Sequence, residues 1–205
     1  MLKMSNVTKK FQTGEIQTSA LVDFNLEITD GDFVAIQGPS GAGKTTFLNV
    51  AGLLDPLDGG AYWLDDADVS QLTDRERSDI RNRQIGFVFQ GFNLIPDLTA
   101  ARNIEFPLRL RSMKAAERKE RVDDALDRVG LTSRARHLPS KLSGGQQQRV
   151  AIARAIAGDP KLILADEPTG NLDSEMSSQV MGMLSDINRQ GTTIVMVTHC
   201  REDRP

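Results

Sequence analysis

Apolar and polar residues alternate along two early stretches of the chain, and each alternation predicts a strand with one face for a core and one for solvent. Leu2-Lys3-Met4-Ser5-Asn6-Val7-Thr8 alternates roughly, and residues 20–28 do so more clearly. The turn Asp30-Gly31-Asp32 leads into the apolar, β-leaning run of residues 32–36, read as a buried strand. The period then changes: over residues 44–54 apolar side chains recur at helical spacing. A loop at 55–60 and a short strand at 61–64 follow. Thr73-Asp74-Arg75-Glu76 fits a capping box, with Thr73 as N-cap and Glu76 at the third helical position. That helix is predicted to end near Asn82, ahead of a strand over 85–89.

From 91 to 140 strand-like runs stop. The charged stretch 116–129 carries Val122, Ala125, Leu126 and Val129 on one helical face, offers Glu117/Arg121 as an i,i+4 pair, and stops at Gly130. Residues 91–140 therefore read as a helical insertion. The earlier rhythm then resumes with a helix over 144–157 ended by Gly158 and Pro160, and a continuous apolar strand over 162–165. An amphipathic helix over 174–189 and a second buried strand over 193–198 follow. Strands alternating with helices predict an α/β fold whose mainly parallel sheet is covered on both faces.

Composition narrows the class. The 205 residues are 39% hydrophobic and 26% charged, enough for a proper core and unlike a disordered chain. The net charge of -3 gives no electrostatic footprint for nucleic acid. One cysteine, Cys200, excludes an internal disulfide and fits a reducing compartment. No apolar run has the roughly 18 residues of a membrane span, so a cytoplasmic protein that reaches a membrane through a partner is expected.

The candidate chemistry begins at Gly38-Pro39-Ser40-Gly41-Ala42-Gly43-Lys44-Thr45-Thr46, which lies between a predicted strand and a predicted helix. That is the context of a phosphate-binding P-loop, in which glycines let successive backbone N–H groups face one anion at a helix N-terminus. Lys44 is expected on the β- and γ-phosphates and the Thr45 hydroxyl on Mg²⁺, so the chain is expected to bind a nucleotide. Asp166-Glu167 ends the strand over 162–165, at the edge where open α/β sheets bind ligands. Asp166 suits the metal and Glu167 the deprotonation of water. Leu142-Ser143-Gly144-Gly145-Gln146 satisfies a capping box locally. Two glycines in a first turn weaken a helix by about 1 kcal/mol each against alanine, and close approach to a phosphate is a reason to keep them.

Together these stretches, with Gln90, Asn171-Leu172-Asp173 and His199, resemble the ATP-binding cassette (ABC) ATPases in order and spacing. The resemblance covers nearly the whole chain, and its longer strings, Gly91-Phe92-Asn93-Leu94-Ile95-Pro96 among them, are similar to the MacB/LolD branch, which powers lipoprotein release, macrolide or peptide efflux and mechanotransmission. It implies a single domain over 1–205: a P-loop NTPase core at 1–90 and 141–205 with an N-terminal antiparallel part, and a helical subdomain at about 91–140. It implies ATP and Mg²⁺ as ligands, Gln90 touching the metal and the attacking water, and His199 contacting the γ-phosphate. Phe11 occupies the place of a ring that stacks on adenine. Ser143, Gly144, Gly145 and Gln146 are expected to complete the site of a second copy in a head-to-tail dimer that sandwiches ATP, with residues 171–173 along the seam. An integral membrane permease is the implied partner, which places the chain on the inner face of the cytoplasmic membrane.

The sequence departs from the resemblance after His199, where the family carries a helix and further strands and this chain reads as shortened or truncated. Lys141 before the signature is a lesser departure. A soluble ABC-type ATPase acting on nucleic acid or ribosomes is the competing reading, disfavoured by the 51 residues between Gln90 and Leu142, where DNA-repair relatives carry long coiled coils. A non-hydrolysing nucleotide-binding module is the third.

Overall fold

A computed structural model describes residues 1–14 and 16–198. Its strands are β1 (Leu2–Thr13), β2 (Ile16–Ile28), β3 (Phe33–Gln37), β4 (Gly59–Leu64), β5 (Ala67–Asp68), β6 (Ile85–Phe89), β7 (Leu162–Asp166) and β8 (Thr193–Thr198). Its α-helices are α1 (Lys44–Ala51), α2 (Asp74–Gln84), α3 (Ala100–Arg109), α4 (Ala115–Arg128), α5 (Gly144–Ile156) and α6 (Ser174–Arg189). They build two sheets. One is antiparallel, in the order β2-β1-β4-β5; the other is parallel, in the order β3-β8-β7-β6.

The continuous apolar run of β7 is explained by its two covered faces. Ile163 and Ala165 belong to a core shared with α3, α4, α5 and α6, whereas Leu162 and Leu164 belong to one shared with α1, β1 and β4. A strand in the middle of a parallel sheet has no solvent face, so alternation disappears. The antiparallel hairpin is the opposite case. Beyond Val7, Phe11, Gln12, Gln17, Thr18 and Ser19 are exposed, so both strands run further than the expected 2–8 and 20–28 without a periodic signal.

Helix α1 ends at Ala51 rather than at the expected residue 54. The Tyr62 hydroxyl donates to the Ala51 carbonyl at 2.7 Å, and Leu53 turns left-handed at φ 57° with its side chain buried. The apolar residues after 51 thus continue the core but not the helix. Both expected capping boxes form. Thr73 Oγ1 accepts from the Glu76 N–H while Glu76 Oε2 accepts from the Thr73 N–H at 2.8 Å, and α4 and α6 start and stop within a residue or two of their predicted limits.

Candidate active site

The parallel sheet brings four chain ends together. In register, Gln37 lies opposite Thr198, Val197 opposite Asp166, and Asp166 opposite Phe89. The P-loop leaves β3, Glu167 leaves β7 and Gln90 leaves β6, so all three start at one carboxyl edge of adjacent strands. His199 follows β8 in sequence and lies outside the described residues.

The P-loop hands over to α1 at Gly43, the N-cap residue, which has φ 84° and no side-chain cap. A Cβ there would also stand 2.5 Å from the Ala20 carbonyl oxygen of β2, so both the conformation and the space require glycine. The first turn of α1 holds no acidic residue, and its N–H groups and dipole keep their positive character. Lys44 is 9% exposed, and its ammonium turns into the loop, donating to the carbonyls of Gly38 at 2.5 Å and Pro39 at 2.8 Å. Phosphate oxygens are stronger acceptors than these neutral carbonyls. Pro39, Ser40, Gly41, Ala42 and Thr45 are exposed, and Thr46 is half-buried. Phe11 is 41% exposed on β1, with the Lys9 ammonium 5.5 Å from its ring centroid. It pairs with Thr18, two residues before the Ala20 that abuts the loop.

Glu167 is half-buried and left-handed, φ 44°, a conformation that costs a non-glycine residue of order 1–3 kcal/mol. Hydrogen bonds from three elements hold the turn. The Glu167 N–H donates to Val197 O at 3.0 Å, and the Gly170 N–H donates to Glu167 O at 2.9 Å. Gln148 of α5 donates from Nε2 to the Pro168 carbonyl at 2.6 Å. Asn171 Nδ2 donates to the Gln90 carbonyl at 3.0 Å, tying residues 170–171 to the end of β6. Among the described residues no cluster of three or more His, Cys, Asp or Glu forms a self-sufficient metal cage. One carboxylate (Asp166), one hydroxyl (Thr45) and one amide (Gln90) instead fit Mg²⁺, which keeps several waters and takes substrate phosphates as ligands.

Helix α5 starts differently. Ser143 Oγ accepts from the Gln146 N–H at 3.3 Å and Gln146 Oε1 accepts from the Ser143 N–H at 3.0 Å. Its two glycines also separate. A Cβ on Gly145 would lie 2.5 Å from Met176 Sδ of α6, so packing inside the chain accounts for that glycine. A Cβ on Gly144 would meet only Phe92 at 3.7 Å and Leu172 at 3.9 Å, ordinary contacts. Inside the chain, then, a side chain crowds the Gly145 position and none crowds the Gly144 position. A cleft of about 300 Å³ opens beside this turn, lined by Ser143, Gly145, Gln146, Arg149, Arg134 and Gln179. The groups that approach Gly43 (the Ala20 carbonyl and the Leu21 side chain) and those that approach the signature glycines (the Phe92, Leu172 and Met176 side chains) are different sets.

Two residues of α5 escape a motif-based reading. Gln148 is fully buried, and Arg154 donates to the carbonyls of Phe92, at 2.9 Å, and Asn93. Both acceptor residues are left-handed, and burial lowers the Arg154 pKa by desolvating its charge. The available signal for Gln148 was a polar residue on the stripe 145, 148, 152, 155, which is otherwise small or apolar.

The sequence model of the family described as "ABC transporter" matches residues 21–170. The ABC transporter ATP-binding protein YknY of Bacillus subtilis is 50% identical over 97% of this chain and 86% of its own length. The macrolide export ATP-binding/permease protein MacB of Brucella melitensis is 46% identical over 98% of this chain, which spans 31% of that longer protein. A dimeric structure of the ATP-binding cassette MJ0796, in a post-hydrolysis state bound to ADP and Pi, superposes with a TM-score of 0.89 at 47% identity, covering 98% of this chain and 89% of that one. These matches establish that the protein belongs to the ABC transporter family, as one of its ATPase cassettes.

Proposed function

We propose that the chain is the ATP-hydrolysing motor subunit of an ABC transporter, in which two copies close head-to-tail over two ATP molecules and move a membrane permease. The observation that carries this reading is the delivery of the P-loop, Asp166-Glu167 and Gln90 to one edge by adjacent parallel strands. Residues 38–46 bind the triphosphate, with the α1 N–H groups and Lys44 as donors and Phe11 against the adenine. Thr45, Gln90 and Asp166 hold Mg²⁺, which when bound neutralises charge on the β- and γ-phosphate oxygens. Glu167 takes a proton from water as the water oxygen attacks the γ-phosphorus. The bond to the β–γ bridging oxygen breaks, and its electron pair leaves with ADP. His199 contacts the γ-phosphate.

Ser143, Gly144, Gly145 and Gln146 act on the nucleotide held by the other copy. The uncrowded Gly144 and the dimeric MJ0796 structures support this. Residues 91–140 form the helical part that passes closure on, inserted between core segments 1–90 and 141–205. No helix among the described residues is long and apolar enough to cross a membrane, whereas the MacB relatives are named as ATP-binding and permease in one chain. The chain is therefore assigned to the cytoplasmic face of the membrane, docked on a permease of the type that serves lipoprotein release or macrolide and peptide efflux.

Glu167→Gln tests the reading. Turnover should fall by roughly 10²–10⁴, the range of a lost general base, while ATP binding persists and a dimer accumulates in light scattering. Undiminished turnover would sink the mechanism.

A further inference from the structure

Gln148 stands out among the buried groups to which the mechanism gives no part. It is 0% exposed, it lies in the second turn of α5, just beyond the capped signature turn, and its Oε1 accepts no hydrogen bond among the described residues. A buried amide left half-satisfied is unfavourable, so its retained donor bond calls for a reason. That bond goes to the carbonyl of Pro168, the residue that follows Glu167.

We infer that Gln148 is a positioning residue for hydrolysis: its amide fixes the left-handed turn that aims Glu167, and so links the signature helix to the general base of the same chain. The inference rests on the reading of Glu167 as that base. The geometry is specific. Glu167 is held through its N–H by Val197 O of β8 and through its carbonyl by the Gly170 N–H, and both bonds lie within the sheet edge and its own turn. Gln148 supplies the bond to this turn that comes from α5. Gly145, one helical turn earlier on the same face, sits against the side chain of Met176 of α6, where an added Cβ would come within 2.5 Å of its sulfur. A shift of α5 when its first turn engages a ligand therefore reaches Pro168 through Gln148. Ordinary helix packing would be served as well by an apolar residue of the same length.

Steady-state ATP hydrolysis by the full chain, with Gln148→Met and Gln148→Asn beside Glu167→Gln, tests this. Methionine keeps the volume without the donor, and asparagine keeps an amide that stops one methylene short. Both variants should lower kcat by about tenfold or more, the factor one buried hydrogen bond is worth, with KM for ATP within about twofold of wild type. Hydrogen exchange of the Gly170 amide should quicken by a similar factor while the amides of α5 keep their protection. Wild-type kcat in both variants would overturn the inference, as would a fall in kcat matched by a rise in KM or by loss of protection throughout α5. If Glu167→Gln hydrolyses ATP normally, the assignment of the base is what fails. If it is inactive while Gln148→Met and Gln148→Asn are not, only the role of Gln148 falls.

Discussion

The chain begins α1 and α5 with glycine turns and finishes the two starts in opposite ways. At α1 the N-cap is a left-handed glycine with no capping side chain, and a lysine folds back onto the loop carbonyls. The helix N–H groups are left for something outside the chain. At α5 a serine and a glutamine satisfy each other's backbone N–H groups, and the second glycine is filled by Met176 of the neighbouring helix. One start leaves its backbone N–H groups uncapped by any side chain, as the proposed anion site requires. The other is a stable helix start with a single uncrowded position, Gly144. The difference teaches that two glycine-rich helix starts need not use their glycines for the same purpose.

Lys44→Ala presses hardest on the P-loop half of this comparison. Removing an ammonium that makes charge-assisted contacts should weaken ATP or ADP binding by about 10²-fold. At a ligand concentration of 100 Kd the wild-type protein gains about 2.7 kcal/mol of stability from binding. The variant at that same concentration should gain only about 0.4 kcal/mol, which thermal unfolding with and without nucleotide reads directly. Unchanged nucleotide stabilisation would mean that the backbone alone supplies the site.

Gly145→Ala against Gly144→Ala sharpens the signature half. Alanine at 145 forces Met176 aside and should destabilise by about 1–3 kcal/mol, less up to about 1 kcal/mol regained in helix propensity. Alanine at 144 meets only ordinary contacts and should be neutral or slightly stabilising in urea unfolding. Turnover should fall in both, in Gly144→Ala without any loss of stability. Equal destabilisation of the two would erase the distinction drawn between them.

What was legible in the sequence follows the same line. The buried strands β7 and β8, the capping boxes and the order of motifs along the sheet edge were readable, because each rests on local pattern or on a fixed spacing. Strand β3, read as buried, is instead the edge strand of its sheet, with Phe33, Ala35 and Gln37 exposed. The tip of the β1–β2 hairpin was not, since both of its faces are exposed and no alternation marks it. Helix α3 was expected only as part of a helical segment. It carries Pro107 in its last turn and is started by Thr99, which accepts from the Arg102 N–H. The end of α1 was misjudged because core packing continues past the last helical residue, through Leu53. Gln148 and Arg154 were missed for a deeper reason. Their partners are carbonyls of Pro168, Phe92 and Asn93, far away in sequence, and backbone acceptors leave no trace in residue identity.

Ser143 separates helix capping from ligand recognition with the smallest expected change in stability. A serine hydroxyl has one donor and two acceptor sites, so Oγ can keep accepting from the Gln146 N–H while its O–H turns to a phosphate oxygen. The capping box and a phosphate contact are therefore compatible, and the cap need not break when a nucleotide arrives. Ser143→Asp divides the two roles. Aspartate caps about as well as serine, so unfolding free energy should stay within about 0.5 kcal/mol of wild type. It offers no donor and brings a negative charge to the phosphate side, so ATP-driven dimerisation of the Glu167→Gln background should be lost. A dimer that still forms with Ser143→Asp would mean that the α5 start only caps its own helix, and the contrast with the P-loop would then rest on Gly144 alone.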